Sequence, residues 1–136
     1  MAGSNNISVS FQAPSGKFNV SEVKEYFINP NCFGDDLGNW LLSKLSERNI
    51  AVEEDGPDQE DFGWYVNFKI DGDEITCLII YNENDRVWSL VFEYNVGLIG
   101  SIFGKRNKKV GNNVVKLFSE ILESELEIES IKWNNN

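Results

Sequence analysis

Between positions 62 and 94 apolar residues recur with a period of two through three consecutive runs, and nothing else in the chain restricts its fold so tightly. Phe62, Trp64, Val66, Phe68 and Ile70 alternate with Gly63, Tyr65, Asn67 and Lys69. Ile75, Cys77 and Ile79 alternate with Thr76, Leu78 and Ile80, and Trp88, Leu90, Phe92 and Tyr94 with Ser89, Val91 and Glu93. Successive side chains on a strand point to opposite faces, so each run predicts a strand with one face turned inward. Asp71-Gly72 is a two-residue hairpin signal, because a type I′ turn needs positive φ at both positions. Asn82-Glu83-Asn84-Asp85 supplies a second turn. The three runs therefore form an antiparallel meander.

The flanks add strands and helices. Ile7, Val9 and Phe11 alternate with Ser8 and Ser10, which predicts a strand ending before Pro14. Residues 18–27 fit either a short helical turn capped by Ser21 or an extension of a strand through Phe18-Val20. From Asp35 or Asp36 to about Arg48, Leu37, Trp40, Leu41 and Leu45 fall on one helical stripe, with two acids at the N-terminus that the helix dipole favours. Asn49 suits the left-handed residue that ends such a helix. Ile50-Ala51-Val52 starts a strand that runs into an acidic turn. After a Gly-rich connection from Asn95 to Gly111, Asn112 or Asn113 caps a second helix with Val114, Val115, Phe118, Ile121 and Leu122 on one stripe. Leu126, Ile128, Ile131 and Trp133 form a last strand, whose change of parity after Ile128 indicates a bulge or a boundary. The expected fold is α+β: a single antiparallel sheet, a central meander of about four strands plus terminal strands, with two amphipathic helices packed on one face. At 136 residues the chain suits one domain, 1–136, with 1–6 and 134–136 as frayed ends.

Composition narrows the chemistry. There is no histidine, which removes Ser-His-Asp and Cys-His catalysis and most metal sites. Twelve basic against 22 acidic residues give a net charge of −10. That balance disfavours nucleic acid and anionic membranes, which need clustered Lys and Arg, and favours steered association with a basic protein. Met1–Asn6 carry no signal-peptide pattern, and the longest nearly apolar run, Val96–Gly104, is far shorter than a membrane span of about 20 residues. The expectation is a cytoplasmic protein. Cys32 and Cys77, outside any C-x-x-C pattern, read as free thiols, Cys77 as a small core residue.

Glu60-Asp61-Phe62-Gly63-Trp64-Tyr65-Val66 is the most distinctive local text. Together with Asn31-Cys32-Phe33-Gly34-Asp35-Asp36-Leu37-Gly38-Asn39-Trp40-Leu41 and Ile131-Lys132-Trp133, it resembles a set of small bacterial proteins that carry an acidic pair, an aromatic and then Gly-Trp. Phe62 stands where that pattern more often has tryptophan. The resemblance spans about residues 25–133 and implies an α+β bacterial domain with no assigned activity and no catalytic residue.

Two segments stand out as candidate sites. Six carboxylates (Glu53, Glu54, Asp55, Asp58, Glu60 and Asp61) fall within nine residues with no basic residue between Arg48 and Lys69. Like charges so crowded suit a solvated loop, and with Trp64 or Tyr65 beside them as an aromatic anchor they also suit docking of a basic partner. The calcium-loop spacing D-x-[DN]-x-[DN]-G is absent. The second candidate is the loop 97–109, with Ile102 and Phe103 followed by Lys105, Arg106, Lys108 and Lys109. Its bland reading is a buried turn with a basic tip; its functional one is a binding loop. Glu120, Glu123, Glu125, Glu127 and Glu129 make a further acidic stretch, the last three expected on one strand face. No catalytic residue, metal or cofactor is assigned. Paired carboxylates are the one catalytic chemistry left, and Asp35-Asp36 more simply cap a helix. The leading expectation is a non-enzymatic protein-binding domain, in its most concrete form an immunity protein neutralising a basic bacterial toxin. The alternative is an adaptor or secretion-chaperone-like domain using the 97–109 loop or the sheet face.

Overall fold

The computed structural model describes residues 6–14, 16–30, 32–53, 56–60, 63–95 and 109–134. In chain order the elements are β1 (Ile7–Gln12), α1 (Asp35–Glu47), β2 (Ala51–Val52), β3 (Asp58–Glu60), β4 (Gly63–Ile70), β5 (Asp73–Asn82), β6 (Val87–Tyr94), α2 (Asn112–Glu123) and β7 (Glu129–Asn134). All seven strands belong to one antiparallel sheet, ordered β2-β4-β5-β6-β1-β7, with β3 also paired to β4. The architecture is α+β, with the meander at its centre.

The hairpin signals act as their chemistry requires. Asp71 and Gly72 take φ of 52° and 86°, so Ile70 pairs with Asp73 across a two-residue turn. At the next turn the Asn82 side chain accepts the amides of Asn84 and Asp85, and Asn82 pairs with Val87.

Register then sorts the side chains. Val66, Cys77, Phe92 and Ile7 lie opposite one another across β4, β5, β6 and β1, and all are buried. The row of Trp64, Ile79, Leu90 and Val9 is buried likewise. Phe118 of α2 packs its ring 5.5 Å from that of Phe68 and 4.6 Å from that of Phe92, on this inner face. α1 lies against the same face, where Leu37, Leu41 and Leu45 are fully buried and Gly38 approaches Ile79. Both cysteines are buried free thiols, and burial raises the Cys77 thiol's pKa.

Several expectations are revised. Gly111, not an asparagine, stands at the N-cap of α2; Asn113 instead donates to the Asp71 carboxylate and accepts the Val114 amide. The last strand begins at Glu129, with Ser130 at φ 57° and a register shift against β1, so the parity change marks both boundary and bulge. Leu126 and Ile128 precede that strand, and Leu126 is 93% exposed. Glu125 and Glu127 therefore share no strand with Glu129; they bind Lys17, while Glu120 binds Arg48. Residues 18–30 form neither helix nor regular strand. They cross the inner face as a strap, with Phe18 edge-on to Trp40 and Trp88, and Phe27 against Trp64 and Phe33.

Candidate functional site

The acidic segment is not a free loop throughout. β2 and β3 line the same edge of β4, Glu53 continuing the pairing through its amide to the Asn67 carbonyl at 3.1 Å. The chain then leaves the edge so that Pro57 sits on α1 at Gly38, and returns with Asp58 opposite Tyr65. Gln59, opposite Trp64, turns inward and binds the strap. Its Oε1 accepts the amides of Ile28 and Asn29, and its Nε2 donates to the carbonyls of Asn29 and Cys32. One glutamine thus satisfies four backbone groups of a segment with no regular structure to do so.

Trp64 is 2% exposed and donates its indole N–H to the Cys32 carbonyl at 2.9 Å. It is structural, and its expected role as an exposed anchor is corrected on that account. Glu53 accepts a bond from Asn67, and neither Glu53 nor Asp58 has an ion pair among the described residues. Glu54, Asp55, Asp61 and the Glu60 side chain lie outside the described residues, as do Phe62, Ile102, Phe103, Lys105, Arg106 and Lys108. Lys109 is described and exposed.

Strap, β3 and the start of α1 enclose a cleft of about 500 Å³, whose lining includes Tyr26, Ile28, Asp35, Pro57, Asp58 and Gln59. Along it Asp35, the first residue of α1, is 1% exposed, and where a helix cap was expected of it Gly34 stands at the N-cap and no side chain caps the helix. Burial of a charge demands partners. The Tyr26 hydroxyl donates to Oδ2 at 2.7 Å, Lys24 Nζ lies 3.3 Å from the same oxygen, and Asn19 Nδ2 lies 3.4 Å from Oδ1. Lys24 also reaches Asp36 at 3.5 Å. Its pKa is raised because the hydrogen bond to Asp35 favours the ammonium. The Tyr26 phenol is raised too, first by burial and then by its bond to the Asp35 anion.

The mouth of the cleft is apolar. Tyr26 and Ile28, which line it, are 57% and 80% exposed, and Val23, three positions before Tyr26 in the chain, is 49% exposed. In the sequence residues 18–27 fit either a short helical turn or a strand extension, and neither reading marks these side chains as an exposed cluster. The signal was present: Val20, Val23, Tyr26, Phe27 and Ile28 are more apolar than a solvated connection requires.

On the opposite face of the sheet Asp58, Tyr65, Leu78 and Val91 stand in one cross-strand row. Tyr65, Leu78, Ile80 and Val91 are half-buried there, and Glu53 and Glu93 border the row. Neither described helix packs on that side. Among the described residues no group of His, Cys, Asp and Glu could hold a metal ion, and no helix is long and apolar enough to cross a membrane. No family model, curated protein or solved structure significantly matches the chain.

Proposed function

We propose that the chain is a non-enzymatic domain that docks a basic protein at the mouth of the strap cleft, with Tyr26 and Ile28 as anchors and Asp58, Asp36, Glu22 and Glu25 as the surrounding negative field. The observation that carries this reading is the exposure of Tyr26 and Ile28 on a cleft that the carboxylates Asp35 and Asp58 also line. Contiguous exposed apolar residues rimmed by charge mark interaction surfaces, and aromatic side chains dominate their energetics. A net charge of −10 steers a positive partner towards the chain. The most concrete form is a cytoplasmic immunity protein, whose acidic surface occupies a basic toxin where the toxin would meet phosphates. The cleft's buried acid supports binding over catalysis, since its oxygens are already committed to Lys24, Tyr26 and Asn19.

Affinity capture tests the proposal, comparing the wild type with Tyr26→Ala/Ile28→Ala at low and high salt. A basic protein retained by the wild type, lost with the double variant and lost at high salt supports it. Equal retention by both proteins overturns it.

A second reading rests on a different observation, the row Tyr65–Leu78–Val91. An adaptor or secretion-chaperone-like domain would bind there, and Leu78→Asp, with the cleft intact, would then abolish capture.

A further inference from the structure

Asp35, which lines the cleft, holds a cation already. Lys24, its side chain 29% exposed, lays its ammonium on a carboxylate that is 1% exposed, and that carboxylate also lines the cleft, beside Tyr26 and Ile28. Asp35, Asp36 and Asp58 border the region against, among the described residues, the ammonium of Lys24, so negative charge remains uncompensated even when Lys24 is in place. The half-exposed Tyr26 ring stands at the entrance with its hydroxyl on Asp35. A planar cation that can pair with a carboxylate through two N–H groups and lie along an aromatic face fits this arrangement better than a compact ammonium.

We propose that the cleft is the seat of one arginine side chain of the basic partner, whose guanidinium takes Asp35 while Lys24, the occupant in the free protein, swings onto Asp36. This rests on the reading of the cleft mouth as a docking surface and specifies what enters it. Lys24 is then a placeholder: it keeps a buried anion neutralised until the partner arrives, and it sets a threshold that a weakly basic surface does not cross.

Chemical rescue tests the seat without the partner. Lys24→Ala leaves Asp35 with only Tyr26 and Asn19, and methylguanidinium, at concentrations far below those that denature, should restore thermal stability. A saturable rise in Tm of about 3 °C is expected, larger than with methylammonium and absent in Lys24→Ala/Asp35→Asn. No saturable rise, an equal rise in the double variant, or a stronger effect of methylammonium overturns the proposal. Should Lys24→Ala not fold, Lys24→Met keeps the aliphatic stem. In the wild type the Asp35 carboxyl ¹³C resonance should likewise shift on titration with methylguanidinium, and a flat titration counts against the seat. Failure here leaves the docking surface itself to be judged by Ile28→Ala, which keeps Asp35 and its partners Lys24, Tyr26 and Asn19 in place.

Discussion

Pro57 rests on Gly38: a Cβ built at position 38 would lie 2.7 Å from the Cβ of the proline ring. The contact ties the acidic segment to α1 and explains a glycine in mid-helix, where alanine would ordinarily be better by about 1 kcal/mol. Gly38→Ala should therefore destabilise, because a rigid ring cannot yield as a flexible side chain would, and overpacking costs about 1–3 kcal/mol. The expected net loss is about 1 kcal/mol in urea unfolding. A stabilised Gly38→Ala would show that Pro57 does not hold this position.

Gln59 holds the strap through four backbone groups. Replacing it with alanine should lower stability by about 1–3 kcal/mol, since the groups near Cys32 and Asn29 lose partners in a partly dry place. The same variant should lose hydrogen-exchange protection at the amides of Ile28 and Asn29 while β5 and β6 keep theirs. Uniform loss across the sheet would mean that Gln59 supports the core and not the strap.

The Tyr26 phenol should ionise above its ordinary value of 10.0, raised by burial and by the Asp35 anion. In a spectrophotometric titration one of the four tyrosines is expected to titrate late. Asp35→Asn should bring that component back towards the ordinary range, because the anion that disfavours the phenolate is gone. A tyrosine titration unchanged by Asp35→Asn contradicts the bond.

Acid stability should depend on Lys17. Its hydrogen bond holds the Glu125 carboxyl below the ordinary value of 4.5, so the folded chain binds that proton less readily than the unfolded chain. The contribution is fully present above 4.5 and is lost as pH falls through the lowered folded value. Wild type should thus lose more stability than Lys17→Met between neutral pH and acid below that point, measured by urea midpoints. Parallel pH curves would remove the interaction.

Much of the fold was legible because strict alternation and hairpin chemistry agree. Asp71-Gly72 predicts both its turn and the register of Ile70 with Asp73, and the run through Trp64, Val66 and Phe68 predicts its buried face. The site was far less legible. Asp58 and Tyr65 do stand opposite each other, but Trp64 faces inward, a difference of one residue that places it on the other side of the sheet. Asp35 reads locally as a helix-end acid, and its burial follows only from the strap folding over it. Lys24 and Tyr26 lie 11 and 9 positions away, spacings that belong to no periodic element.

The central claim is that Ile28 touches a basic partner. Photo-crosslinking with p-benzoyl-phenylalanine at position 28, and separately at position 126 where Leu126 is even more open to solvent, tests it most directly. The account predicts a basic protein joined through position 28, fading as salt rises, and none through 126. A crosslink of equal yield at both positions, or none at 28, contradicts it.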